Sequence, residues 1–172
     1  PDEATVKIDY CLVSRMGDGS ECFVEDANRC RGIRVTGAWG DILRLDPGTP
    51  VSITGRMGTE NRMRVLQDAH VTSLAGQALP AGTAGAVGSL AMSNRDVIDS
   101  KNHGLLVTSW GRVQWSLGGS FVISDGSLAS GLRVTCKCSV SAVPGGYAKV
   151  TGISTPDGLE VYSAADLVQF GN

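Results

Sequence analysis

The chain has 172 residues, a formal net charge of −2, 42% hydrophobic residues and 19% charged residues. It contains no run of about 18 apolar residues, which excludes a membrane-spanning helix. The near-neutral charge lacks the basic excess that neutralising a nucleic-acid backbone requires, so nucleic acid is not expected as a partner.

The first half of the chain predicts five short β-strands. Alternation of Val6, Ile8 and Leu12 with polar residues is typical of a half-buried strand, and turns rich in Gly, Asn and Asp separate the runs that follow. The connection between the third and fourth strands lacks strand character, and this is the order of an OB barrel. The predicted strands are residues 4–14, 22–25, 32–36, 51–55 and 63–72.

The second half repeats this pattern after a Gly- and Ala-rich stretch. Residues 76–88 are predicted to be an extended crossing segment, and residues 89–99 a short turn or helix docked between two barrels. The strands of the second copy are predicted at residues 104–117, 120–124, 131–140, 147–154 and 159–168.

Matching residues of the two copies lie about a hundred positions apart, which indicates a domain duplication rather than a short solenoid repeat. Phe23 and Phe121 share one position of the repeat and are predicted to be core residues. Trp110 takes the place of Tyr10 and is therefore also predicted to pack inside. The fold class is all-β, with two tandem five-stranded OB-like barrels. The domains are a first barrel at 1–75, a linker and interbarrel segment at 76–103, and a second barrel at 104–172.

Three stretches of the second copy carry a family resemblance. The sequences GLLVTSWGRV at 104–113, FVISDGS at 121–127 and VTGIS at 150–154 resemble the tandem OB-fold modules of secreted bacterial proteins. The resemblance implies the fold and export from the cell, and almost nothing about activity. The chain departs from the family pattern at Ser124, Cys136 and Cys138.

No residue pattern points to catalysis. His70 and His103 are the two imidazoles, and neither lies in a motif that holds a nucleophile, a base or a metal. Acidic turns such as Asp125-Gly126-Ser127 offer oxygen atoms to Ca²⁺, but the same residues are typical of tight turns. The chain is therefore predicted to be neither an enzyme nor a holder of a cofactor or metal.

OB barrels often bind oligonucleotides or oligosaccharides on the face of their second and third strands. An extracellular module that binds a polysaccharide is therefore the alternative function, with single-stranded nucleic acid a weaker one. The candidate residues for polymer binding are Trp39, Trp115, Arg34, Arg133 and Lys137.

Five cysteines offer a different chemistry. Cys22 has a strand-pairing geometry that allows a bridge to Cys11 or to Cys30. Cys136 and Cys138 lie on one side of a single strand, about 7 Å apart, too far for an unstrained bridge to each other. In an oxidising compartment at least one thiol is free or bonded to another molecule, which makes all five candidates for inter-subunit contacts.

These observations favour a non-catalytic, extracellular structural protein. The predicted role is a subunit of a filament or surface assembly made of copies of this chain, with contacts that do not close on themselves. Residues 1–6 are the candidate donor strand for a neighbour. Pro1 in place of an initiator Met suggests a processed mature chain or a trimmed one.

Overall fold

The computed structural model describes residues 3–37, 39–77 and 87–171, and for Trp39 it describes the backbone but not the side chain. The chain divides into two compact units, Pro1–Gly88 and Ser89–Asn172. Each unit has its own cluster of buried apolar side chains. In the described residues no helix is both long enough and apolar enough to cross a membrane.

The first unit is a closed barrel. Its described elements are β1 Thr5–Met16, β2 Glu21–Glu25, β3 Gly32–Gly37, a short helix α1 Trp39–Ile42, β4 Pro50–Glu60 and β5 Met63–Ser73. The strand order around the ring is β1-β2-β3-β5-β4, and pairing of β1 with β4 closes it. Only β3 and β5 run parallel among these described pairs. The helix lies in the predicted non-strand connection, where Ile42 and Leu45 join the buried core.

The second unit repeats that barrel and adds two short strands. Its described elements are β6 Leu90–Ala91, α2 Asn94–Val97, β7 Leu106–Leu117, β8 Ser120–Ser124, β9 Leu132–Cys136, β10 Tyr147–Thr155, β11 Gly158–Val161 and β12 Leu167–Phe170. The ring β7-β8-β9-β11-β10 is closed by pairing of β10 with β7, and β9 and β11 are parallel, as β3 and β5 are. This confirms the predicted fold class of two tandem five-stranded OB-like barrels.

Several predicted strand limits are wrong. The long fifth strand predicted in the second copy is two strands, β11 and β12, because a single 3-10 turn at Ala164–Asp166 interrupts it and Ser163 caps that turn. The third strand of this copy ends at Cys136, before the predicted end at residue 140. In the first copy β4 extends to Glu60, because the chain reverses over two residues with positive φ, Asn61 and Arg62, a geometry that suits a tight hairpin.

The segment predicted to dock between the barrels packs on the second barrel. Val97 of α2 is fully buried in the core of that barrel. Asn94 is also fully buried. Its Nδ2 donates to Ser109 Oγ at 2.8 Å and to the carbonyl oxygen of Trp110 at 3.2 Å, and its Oδ1 accepts from the backbone N–H of Asp125 at 2.9 Å. Satisfied polar contacts of this kind fix a buried amide in one place.

Two other predictions concern segments that the structure describes only in part. Most of the predicted crossing segment, residues 78–86, lies outside the described residues. Pro1 and Asp2 of the predicted donor strand also lie outside them. Thr5 and Val6 of that strand already pair with Arg56 and Gly55 of β4 in the same chain, so they are not available to a neighbour.

A glycine at the same place in both barrels lets two strands approach closely. These residues are Gly55 on β4 and Gly152 on β10. A Cβ atom on Gly55 would lie 2.9 Å from the carbonyl oxygen of Gln67, and one on Gly152 would lie 2.3 Å from that of Glu160. Both glycines are therefore required by the packing of the barrel rather than by a turn.

Candidate functional site

One outer face of the second barrel gathers aromatic and basic side chains. It is formed by three neighbouring strands, β7, β10 and β12. Arg112, Tyr147 and Phe170 are opposite one another across these strands and make one row. Trp110, Lys149 and Val168 make the next. We call these six residues the aromatic–cationic face.

The alternation of the strands explains how this face forms. Successive side chains of a strand point to opposite sides of the sheet. Gly111 and Ala148, which separate the outer residues of β7 and β10, are buried. Directly opposite residues have Cβ atoms about 5 Å apart, and rows two residues apart are separated by roughly 7 Å. The six side chains thus cover a compact area.

Exposure rules out a core role for the three rings. Trp110 is 51% exposed, Tyr147 58% and Phe170 53%. The prediction that Trp110 packs inside, by analogy with Tyr10, is therefore wrong. The analogy fails because packing restricts which side chains can occupy an inward position of a strand but does not restrict an outward position. A large ring at a strand position therefore does not show that the position is buried. The matching prediction for Phe23 and Phe121 is confirmed, since both are buried.

The charges on this face are positive. Lys149 is exposed and has no ion pair within the described residues, and Arg112 donates from Nε to the carbonyl oxygen of Gly145 at 3.4 Å. None of the six residues is acidic. In the first barrel, by contrast, Arg34 pairs with Glu21 at 2.7 Å, and Arg56 pairs with Asp68 at 2.9 Å.

A short chain of hydroxyl groups borders the aromatic–cationic face. Thr108 and Thr151 are opposite each other on β7 and β10, one row beyond Trp110 and Lys149, and their Oγ1 atoms are 2.7 Å apart. Thr108 Oγ1 donates to Ser89 Oγ at 2.5 Å. Hydroxyl groups both donate and accept, so this border suits a polar ligand such as a sugar or a phosphate.

The residues predicted to bind a polymer are divided between the two barrels. Trp115 and Arg133 of the second barrel lie on one outer face, on either side of Val122. Lys137 follows β9 and approaches Glu160 at 3.5 Å. Arg34 lies in the first barrel and is held by two carboxylates, those of Glu21 and Glu60. The backbone of the fifth candidate, Trp39, begins α1, but its side chain lies outside the described residues.

None of the six residues of the aromatic–cationic face was predicted from the sequence to bind a ligand. The signal is a repeated triplet, in which a large or charged residue stands on each side of a smaller inward one. It occurs as Trp110-Gly111-Arg112 and as Tyr147-Ala148-Lys149. Recognising it requires knowing that β7 and β10 are neighbours in this register.

The five cysteines all lie in described residues and are unbridged. The predicted bridge from Cys22 to Cys11 or Cys30 is therefore absent. Cys11 and Cys22 are buried in the first core while Cys30 is exposed in the turn after β2. Burial raises the pKa of both Cys11 and Cys22 to about 12. A smaller contribution comes from the nearby Cys22 for Cys11 and from Glu21 for Cys22. Such thiols stay protonated and unreactive at neutral pH.

Cys136 and Cys138 also remain unbridged. Both pack against the core of the second barrel, and the Cys138 thiol lies 4.0 Å from the carbonyl oxygen of Val161. Burial, followed by the proximity of Cys138, raises the pKa of Cys136 to about 11. A thiol with a raised pKa, such as that of Cys136, stays protonated and unreactive at neutral pH.

A polar groove of about 470 Å³ in the first barrel includes His70. The ring Nδ1 atom lies 2.8 Å from Asp41 Oδ2, and Asp41 also accepts from the backbone N–H of Val71 at 3.4 Å. His70 is 75% exposed. The second imidazole, His103, lies near the carbonyl oxygen of Ile98 at 3.3 Å. Among the described residues no group of three or more His, Cys, Asp or Glu side chains is placed to hold a metal ion.

Comparison with known proteins gives a fold. No protein-family model matches the sequence, and no curated protein matches it. Solved structures do match. One is described as the p204 HINb domain, with 10% identity, a TM-score of 0.44, and coverage of 98% of this chain and 96% of that one. The tetrameric p202 HIN2 has 9% identity, a TM-score of 0.42, and coverage of 98% and 93%.

A third solved structure is described as a murine DNA binding protein bound with ds DNA. It has 10% identity and a TM-score of 0.39, and the match covers 99% of this chain and 98% of that one. At such identities the likeness concerns the fold. Each of these matches spans nearly the whole chain.

Two predictions made from the sequence are corrected here. The predicted role as a structural subunit of an extracellular homopolymer is contradicted by the comparisons, in which the matching solved structures are described as HIN domains. The exclusion of nucleic acid is contradicted as well, since one matching structure is described as a DNA binding protein bound with ds DNA. The second prediction fails because net charge and aromatic content describe the whole chain. They do not show that three rings and two cations are concentrated on one face of six residues.

Proposed function

We propose that the second barrel binds single-stranded nucleic acid on the aromatic–cationic face. The observation that carries the proposal is the presence of three half-exposed rings beside two cations on adjacent strands. Unpaired bases stack on such rings, and each base contributes about 1–3 kcal/mol, whatever its identity. The cations provide the contacts to the phosphate backbone.

The layout of the face matches those two roles. Trp110 and Phe170 lie at opposite corners of the two rows, and Lys149 lies between the strands that carry them. Across three strands the face is about 10 Å wide. This area accommodates two or three bases with the backbone passing over Lys149 and Arg112. A duplex fits it less well, because its bases are already stacked on each other.

The proposed role is that of a binding module without catalysis. Export from the cell stays a prediction from the family resemblance. Neither is needed for the binding argument, which rests on local geometry.

Fluorescence anisotropy of labelled dT12 with the full chain tests the proposal. Trp110→Ala is expected to weaken binding by about 5- to 100-fold, because one stacking partner is lost, whereas Trp110→Phe keeps a ring and most of the affinity. The two cations of this face are expected to contribute about −1.4 to the slope of log K against log salt. Lys149→Ala should make the slope shallower by about 0.7.

The matched control for charge is Arg44→Ala. Arg44 is exposed in the first barrel, so this variant makes the same change in net charge without touching the face. It should bind as the wild type does. Absence of dT12 binding at 50 mM salt, or binding that neither Trp110→Ala nor salt weakens, contradicts the proposal. Binding of a soluble glucan that Trp110→Ala abolishes, without binding of dT12, would assign the face to sugar instead.

A further inference from the structure

We infer that the bound strand does not end at the aromatic–cationic face but continues along β7 to a second contact area formed by Trp115 and Arg133. This inference rests on the proposed function and extends it to the length and path of the ligand. Four observations on the second barrel carry it.

The first observation is the course of β7, which belongs to two faces. Its first half, up to Arg112, pairs with β10, and its second half, from Arg112 onward, pairs with β8. The outer side chains of this one strand therefore connect the aromatic–cationic face with the face that β7 shares with β8 and β9.

The second observation is a β-bulge that keeps Trp115 on the outer surface. Trp110 and Arg112 are exposed, while Val113 is buried. In a regular strand Trp115 would share the inward side of Val113. The register shifts between Val113 and Trp115, where one additional residue enters β7. A bulge of this kind re-aims the side chains that follow it, and Trp115 is 44% exposed as a result.

The third observation is the pairing of Trp115 with a cation. Trp115 is opposite Val122 on β8, and Val122 is opposite Arg133 on β9. Val122 is only 6% exposed, so it forms the floor between the two. Arg133 is exposed and has no ion pair within the described residues. A ring and a free guanidinium two strands apart repeat the chemistry of the first contact area.

The fourth observation is a cation on the route between the two contact areas. Five residues of strand place Trp115 roughly 16 Å from Trp110, and Arg112 lies between them. The carboxylate of Asp125, which follows β8, is directed toward Asn94 and Ser127, from which it accepts hydrogen bonds. The two rings can therefore hold bases of one strand while the backbone passes three cations.

Two oligonucleotide lengths separate this inference from the proposed function. OB folds occupy about 4 to 16 nucleotides, so dT4 can fill one contact area and dT12 can fill both. The dissociation constants of the full chain are measured by titration for dT4 and dT12. Trp115→Ala and Arg133→Ala are expected to weaken dT12 binding by about 5- to 100-fold, and to change dT4 binding less than about twofold.

Conservative variants provide the controls. Trp115→Phe should restore most of the dT12 affinity, and Arg133→Lys should restore the salt dependence. Arg44→Ala again controls for net charge. Unfolding midpoints of all variants are compared with that of the wild type, because a shifted midpoint would indicate a folding defect rather than a lost contact.

Three outcomes are distinguishable. If dT12 binds Trp115→Ala and Arg133→Ala as tightly as the wild type while Trp110→Ala loses it, the extension is overturned and the proposed function stands. If Trp115→Ala weakens dT4 as much as dT12, a single site is centred on Trp115, which also overturns the extension. If the wild type binds neither oligonucleotide, the proposed function itself fails.

Discussion

Asp125 joins the turn after β8 to the segment that precedes β7. Its Oδ1 accepts from the N–H and the hydroxyl of Ser127 at 2.8 and 2.6 Å, and its Oδ2 accepts from the N–H of Asn94 at 2.9 Å. Burial acts to raise the pKa of Asp125, but these hydrogen bonds outweigh it and hold the pKa below its ordinary value of 3.8. The ionised carboxylate therefore stabilises the fold.

The sign of this effect gives a pH prediction. A carboxylate whose pKa is lowered in the folded state contributes stability above its unfolded pKa and loses it as the pH falls through the folded value. We expect Asp125→Asn to lower the urea midpoint at pH 7, and the difference from the wild type to shrink below about pH 4. Ser127→Ala, which removes one donor to Asp125, should show a smaller effect of the same sign. A difference that is constant from pH 7 to pH 3 would contradict this account.

At the residue scale, the sequence predicts buried positions better than outer ones. Phe23 and Phe121 could be assigned to the core because both copies carry a ring at one position. Trp110 could not be placed, because the outer side of a strand is subject to no packing constraint that a pattern would record. The candidates Trp115 and Arg133 were found by residue type, whereas their alignment across Val122 depends on a register that only pairing defines.

Among the elements, β10 depends on a residue without a side chain. A Cβ atom at Gly152 would lie 2.3 Å from the carbonyl oxygen of Glu160 on β11. We expect Gly152→Ala to lower the free energy of unfolding of the second barrel by about 1–3 kcal/mol, because one of the two strands must move. Chemical denaturation followed by Trp fluorescence measures it, since two of the three Trp residues lie in this barrel.

Gly40→Ala is the control for this variant. Gly40 lies in α1, and a Cβ atom there would meet nothing within 4 Å. Alanine is also the better helix former, so the stability should be unchanged or slightly higher. Equal losses for the two variants would mean that the close approach at Gly152 is not what requires glycine.

The number and order of the barrel strands could be predicted from the sequence, but the interruptions could not. Hydrophobic alternation and turn residues reappear in both copies, so the five-strand ring was recoverable twice. The bulge in β7 leaves no compositional trace, because any residue can be the additional one. The break between β11 and β12 also has no recognisable sequence signal. Ser163 caps a 3-10 turn there, yet the same residues fit a continuous strand.

Across the whole molecule, each barrel has a buried apolar cluster of its own. The buried clusters of the two units share no residue. We therefore expect a chain of residues 89–172 to unfold cooperatively and to bind dT12 as the full chain does, because all residues of the proposed site lie within it. A chain of residues 1–88 should fold but bind at least tenfold more weakly.

Calorimetry and anisotropy on the two half-chains, with the full chain as control, check this expectation. A non-cooperative transition for residues 89–172 would mean that the second core is incomplete without the first unit. Tight dT12 binding by residues 1–88 would move the site to the first barrel.

The total charge of the second unit does not predict its positive face, since the unit has six basic and six acidic residues. Their arrangement, and not their total, gives one face its positive character.

The burial of two thiols in the first barrel has a consequence for the oxidation of the protein over time. Cys11 and Cys22 are protected from oxidants only while β1 and β2 stay paired around them, since a protonated and inaccessible sulfur does not react. Each transient opening of that barrel returns them to water, where they regain ordinary acidity and nucleophilicity. Oxidation at these two atoms therefore accumulates with the total time that the barrel spends open.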